Sequence, residues 1–374
     1  MLAVIMQHTG LLPFGWMGVW LFYVISGFVV TTSLGSRADT RHRGADTLNF
    51  YGRRAARILP IYYLYILLGL FVSSHGLGHV DWPPFVSMLL MVNNFADAFG
   101  HGFYRVWPAG HLWTISVEWQ FYLVYGCLFI WAPRGWVITA AVFVVLAAPL
   151  LRVVAGAILL RHQAPVDAAF SVYSFSLLHF DAFAMGALLA LFRDRLSGRL
   201  GVIAGGVGLV LLGLYLAAFA SIDAARGVHG IAVLKNLISG ILIGQGREGP
   251  LYTIVDLLAA SLLLVTLDPR IRLPLIDRSR LQFVGRISYG GYVYHELMHS
   301  LFVAVLPPDL VAGHGVASRT AYDMFEFLVC ATLTILVAAV SYRWLERPVM
   351  SWAGHALDRA LGHAPAPQGE TARR

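Results

Sequence analysis

The sequence predicts an all-α fold, a polytopic transmembrane helix bundle. Three observations carry this. Of 374 residues, 58% are hydrophobic and only 13% are charged, about half the charged share of a soluble domain. The mean hydropathy is +0.69. The apolar runs are long and continuous rather than alternating, which suits spanning helices and not barrel strands. A soluble enzyme and a disordered chain are both excluded by this composition.

A spanning helix needs roughly 20 apolar residues. Runs of that kind lie near 1–12 (short), 16–35, 59–75, 112–131, 136–157, 174–192, 199–220, 250–267, 284–306 and 322–344, predicting about ten spans. The first run has no charged leader and no small-residue cleavage site, so it reads as a retained span rather than a signal peptide. The 231–244 stretch is apolar but carries Lys235, and Gln245 follows it, which suggests a re-entrant or surface helix.

The charges test that count. The chain has 27 basic and 20 acidic residues, a net charge of +7. Arg37, Arg41, Arg43, Arg53, Arg54 and Arg57 precede the third span. Arg134, the group Arg193, Arg195 and Arg199, the group from Arg270 to Arg286, and the group from Arg343 onward follow the fourth, sixth, eighth and tenth. These alternate loops hold most of the basic residues, and the positive-inside rule then places both termini in the cytoplasm. Residues 1–352 read as one membrane domain, and 353–374 as a polar, disordered cytoplasmic tail. Cys127 and Cys330 lie in apolar runs without a CxxC motif, so no disulfide framework or thiolate metal site is expected.

Ionisable groups within a bilayer are costly and become functional candidates by default. His8, in MLAVIMQHTG, can act as a general base near neutral pH or simply face headgroups. Arg53, Arg54 and Arg57, in FYGRRAARILPIYY (50–63), sit just before Pro60, which is read as opening the third span. Their planar guanidinium groups suit phosphate, though a plain anchor on anionic lipid has the same composition. Glu118, in HLWTISVEWQFYLVY (111–125), stands among aromatic residues and needs a cationic partner. His295, Glu296 and His299, in GRISYGGYVYHELMHSLF (285–302), spell HExxH, the zinc-protease pattern. A catalytic zinc needs a third ligand. None follows, and Leu267-Asp268-Pro269 comes earlier, among the arginines. Gly205, Gly206 and Gly208 read as helix packing. His179 and Asp181 either line a cavity or pair with each other, and Asp256 has no evident partner.

Five segments in order resemble one family. GVWLFYVISGFVV (18–30) is similar to its Gly-Val-x-Leu-Phe-Phe-Val-x-Ser-Gly-Phe element. FYGRRAARILPIYY matches an Arg-x-x-Arg-Ile-x-Pro segment through Arg54, Arg57, Ile58 and Pro60. HLWTISVEWQFY, GRISYGGYVYH and LERPVMSW match its Trp–Glu, Ser-Tyr–His and closing Glu-x-Pro elements. Thr114 stands where serine is usual, Tyr23 where phenylalanine is common, and the family's arginine some eleven residues before the histidine would precede Met1. The family is acyltransferase 3, the integral-membrane O-acyltransferases.

The resemblance implies a ten-helix bundle in the cell (inner) membrane. It implies transfer of an acyl group from cytoplasmic acyl-CoA, usually acetyl-CoA, to a hydroxyl of an extracytoplasmic carbohydrate or small-molecule acceptor. No nucleic acid partner and no metal is expected. His8 matches the family's first-span histidine. The expected roles follow: Arg53, Arg54 and Arg57 hold the coenzyme A phosphates, His8 takes the acceptor proton, Glu118 orients His8, and Tyr289 or His295 donates to the oxyanion. An acyl-enzyme on Ser26 or Ser116 is a second route. A transporter of a polar or lipid-linked solute, or an HExxH metalloprotease, is the alternative from another class.

Overall fold

In a computed structural model the chain is built from helices, with no strand among the described residues. Those residues are 1–35, 43–76, 82–98, 107–228, 230, 233, 237–239, 241, 246–271, 279–311 and 315–361. The helices are α1 (Leu2–His8), α2 (Met17–Gly35), α3 (Arg43–Gly76), α4 (Trp82–Leu89), α5 (Asn93–Ala98), α6 (Trp113–Trp131), α7 (Arg134–Leu159) and α8 (Pro165–Ser174). They continue as α9 (Phe180–Leu191), α10 (Gly198–Ala225), α11 (Glu248–Thr266), α12 (Ser279–Arg286), α13 (Ser288–Val305), α14 (Gly315–Ser341) and α15 (Arg347–Ala360). A π-helical turn, Tyr342–Glu346, joins the last two.

Among the described residues, six helical segments are long and apolar enough to cross a membrane: α2, α3, α7, α10, α11 and the joined α14–α15. Helix covers most of each expected run, though only residues 2–8 of the first, and among the described residues the remaining runs do not reach the length and apolarity of full spans. The reason is physical. Helix α1 has only 7 residues, about 10 Å of rise. Helices α6 and α13 carry polar residues turned inward, Ser116 and Glu118 on one and His295 on the other, all buried. Outward faces are apolar: Leu67 and Phe71 of α3, Phe143 and Leu146 of α7, and Leu209 and Leu214 of α10 are exposed. Polar-in and apolar-out is the arrangement that hydrocarbon demands.

Two expectations of segmentation change. Pro60 does not open a span but lies inside the 34-residue α3, so Arg53, Arg54 and Arg57 belong to one continuous helix. At about 1.5 Å per residue that helix is longer than the hydrocarbon is thick. The tail expected from 353 is helical as far as Ala360; residues 362–374 lie outside the described residues, as do Arg37, Arg41, Lys235, Gln245 and most of the 231–244 stretch. Of that stretch, Leu237 and Ile238 are buried. Their carbonyls accept from Tyr215 Oη at 3.0 Å and Trp16 Nε1 at 2.8 Å.

Close packing sets the bundle. Helices α2 and α9 cross where each presents a glycine to the other's backbone. A Cβ on Gly27 would lie 1.9 Å from the Phe183 carbonyl oxygen, and one on Gly186 would lie 1.9 Å from that of Val24. Only glycine permits this approach. Gly205 and Gly208 of α10 press on Ser261 and Leu258, as expected of packing glycines, whereas Gly206 faces open space.

Candidate active site

Helix α1 ends at His8, where Gly10 takes a left-handed backbone (φ 79°) and Leu11 and Leu12 turn back onto the Met6 carbonyl. That turn holds the His8 ring against α13. His8 Nδ1 lies 2.9 Å from Glu296 Oε2, with the two side chains 32% and 21% exposed. With its proton on Nδ1, facing the carboxylate, the ring keeps a lone pair on Nε2. The dyad borders an open cavity of about 430 Å³, lined also by Gln7, Trp107, His111, Tyr173 and Tyr292.

Two further histidines crowd this end. The His295 ring is 5.0 Å from that of His8 and 4.7 Å from that of His111. His295 Nδ1 donates to the Tyr292 carbonyl at 2.6 Å, and His111 Nε2 donates to the Val293 carbonyl at 3.1 Å. Each neutral ring therefore presents a lone pair from its other nitrogen.

The HExxH spacing does not build a zinc-protease site. His295 stays near His8, while His299 Nδ1 contacts Glu326 Oε1 of α14 at 2.7 Å. Asp268 is elsewhere, accepting from the backbone N–H groups of Arg270 and Gly198 at the start of α10. Those hydrogen bonds hold its carboxyl below the ordinary range.

Glu118 is not the partner of His8. It accepts from Ser26 Oγ at 2.8 Å and from the Tyr122 hydroxyl. It lines a smaller cavity of about 70 Å³ with Met1, Tyr23 and Tyr289. This cavity shares Val4, Val19, Thr114 and Tyr292 with the larger one. Tyr289 donates its hydroxyl to the Ile58 carbonyl at 2.7 Å, which engages its single donor. Of the two serines, Ser26 is held by Glu118 and Ser116 donates to Asn93 at 2.6 Å.

The arginines separate. Arg53 bonds Asn49 at 2.7 Å and pairs with Asp358 of α15. The Arg54 guanidinium lies over the rings of Tyr122 and Phe50, at 5.5 and 6.0 Å, and Arg54 and Arg57 both act electrostatically on Glu118. Phe50 also lines a cavity of about 590 Å³, bordered by Arg43, Arg134, Arg193 and the carboxylates Asp46 and Asp194. Sequence reasoning counted these three arginines only as loop charges. Their convergence at one end needed the ends of α3, α7 and α9 to meet.

Asp181 pairs with Arg152 rather than His179, at 2.8 Å. His179 donates to the Val172 carbonyl at 2.8 Å. Asp256 is buried beside Asp181.

A family model described as an acyltransferase domain matches residues 1–344. The O-acetyltransferase OatA of Staphylococcus aureus is 22% identical over 375 residues, covering 93% of this chain and 55% of the relative. The chain thus spans about half the length of these relatives. Nodulation protein 10 of Rhizobium leguminosarum bv. viciae is 26% identical over 374 residues, covering 93% of this chain and 85% of that protein. No solved structure matches.

Proposed function

The chain belongs to the acyltransferase 3 family, and from that premise we propose that it is an integral-membrane O-acyltransferase. In this reading it moves an acyl group, acetyl by analogy with the O-acetyltransferase relative, from cytoplasmic acyl-CoA to a hydroxyl acceptor. The acceptor is an extracytoplasmic carbohydrate or a related alcohol. The arginine-rich end faces the cytoplasm with both termini, and the protein resides in the cell (inner) membrane. Helix α1 with its turn, α6, α9 and α13 supply the crossings beyond the six long segments.

One observation carries the reading. A histidine paired with a carboxylate lines a roomy cavity. Glu296 fixes the His8 tautomer, so Nε2 is the base, by the logic of orienting groups in other acyl transfers. The acceptor hydroxyl gives its proton to Nε2 as its oxygen attacks the thioester carbonyl. The C–S bond then breaks, and the coenzyme A thiolate recovers that proton. Glu296 takes the role that Glu118 was expected to fill.

The donor enters from the arginine-rich end. Arg43, Arg134 and Arg193 border a cavity large enough for the nucleotide, and their guanidinium groups suit its phosphates. Arg54 and Arg57 guide the pantetheine arm past Glu118 toward the shared walls of the two smaller cavities. Arg53, tied to Asp358 and Asn49, holds α15 rather than the ligand.

The experiment is acyl transfer by purified protein in lipid, with acetyl-CoA and cell-envelope glycan. His8→Ala is expected to lower turnover by ~10²–10⁴-fold, the worth of a general base, with unchanged folding. Full activity in that variant would remove His8 from the reaction. Solute flux without consumption of acyl-CoA would favour a transporter instead.

A further inference from the structure

We propose that His299, Glu326 and Cys330 form a binding site for one zinc-type divalent cation between α13 and α14. Glu326 and Cys330 are four residues apart on α14, so their side chains lie on one helix face. His299 meets them from α13. An imidazole nitrogen, a carboxylate oxygen and the thiol sulfur lie within 4.8 Å of one another. Tetrahedral zinc, with bonds of ~2.0–2.3 Å, sets its ligands roughly 3.5 Å apart. A movement of about 1 Å would close the site around the ion.

The chemistry of the set is selective. Nitrogen, carboxylate and thiolate are the ligand types zinc takes, whereas calcium and magnesium take oxygen. Burial adds a driving force. Glu326 is 3% exposed and Cys330 is fully buried, so a cation there would offset a carboxylate already removed from water. Coordination releases the thiol proton to solvent, which makes binding weaker at low pH. The 2.7 Å contact of His299 with Glu326 lacks hydrogen-bond geometry, and it leaves the thiol unused. Cys330 Sγ otherwise makes only a weak contact to the Met298 carbonyl, at 3.7 Å.

The ligands come from two long helices that pack together, so the ion would tie α13 to α14. His299 is 24% exposed, and its ring centroid is 6.1 Å from that of His8. The site uses no atom of the His8–Glu296 dyad and stands apart from the proposed reaction.

The test uses the full chain in detergent, stripped by chelator and then given zinc or cobalt alone. The expected result is ~1 metal per chain, with cobalt giving a thiolate charge-transfer band in the near ultraviolet. Cys330→Ser loses that band, and His299→Ala loses stoichiometric binding, while His8→Gln keeps both. The wild-type cobalt spectrum decides the matter even if a variant fails to fold, because a spectrum without the thiolate band overturns the proposal. Metal that survives Cys330→Ser but disappears in His8→Gln or Glu296→Gln also overturns it. That outcome would move the ion to His8, His295 and Glu296, the other trio within the same 4.8 Å spacing.

Discussion

Among the ion pairs inside this bundle, two have opposite surroundings. Arg152 of α7 and Asp181 of α9 are each fully buried. The guanidinium bonds Asp181 at 3.0 and 2.8 Å, the Leu178 carbonyl at 2.6 Å and Thr253 of α11 at 2.7 Å. It also lies over the Tyr252 ring at 5.5 Å. Every contact is to the protein, and three helices are joined through one side chain. His8 and Glu296 instead border a cavity, with one ring nitrogen uncommitted. Both pairs qualify as functional candidates because both are ionisable groups in a membrane protein. Accessibility sorts them: a fully enclosed pair holds helices together, and one that borders a cavity can do chemistry.

Three substitutions test this division, in falling order of expected size. Arg152→Leu leaves Asp181 and Asp256 buried without their cation. It should cost ~3–5 kcal/mol of stability, read as a lowered unfolding midpoint in detergent. Activity per folded molecule should persist, and a stable, inactive Arg152→Leu protein would break the comparison. Glu296→Gln is the converse. It should lower kcat by ~10²-fold, about 2.7 kcal/mol of barrier, with the melting temperature nearly unchanged. A purely thermal effect there would make the His8 pair structural.

Arg53→Ala should do least. Its partner Asp358 is partly exposed, and such pairs are worth under ~1 kcal/mol. Stability and the KM for acyl-CoA should both move by no more than that. A large rise in KM would return Arg53 to the phosphate cluster that its spacing suggests.

The same contrast explains what could be read from residues alone. The helical class was legible because long apolar runs leave the backbone no other way to satisfy itself in hydrocarbon. The span count was less legible. Hydropathy falls in α6 and α13 because those helices carry Glu118 and His295 inward, so the site residues blur the signal that would count their own helices. His8 was legible as a candidate, being an imidazole beside an apolar run. Its partner was not. Glu118 and Glu296 are both carboxylates on predicted spans, and the choice between them depends on how α1 is turned. The HExxH run drew attention to Glu296 only as part of a zinc-protease pattern, which the missing third ligand argued against.

By itself, the sequence determined an all-helical membrane chain with arginine gathered on alternate loops and a histidine near its start. These follow from composition and local spacing, where each residue acts through its near neighbours along the chain. Only the tertiary structure decided that Glu296 faces His8, that Glu118 faces Ser26 and Tyr122, and that His299 faces Glu326. Such pairings join helices far apart in the chain. Like the close approach of α2 and α9 at Gly27 and Gly186, they are contacts whose partners no local pattern names.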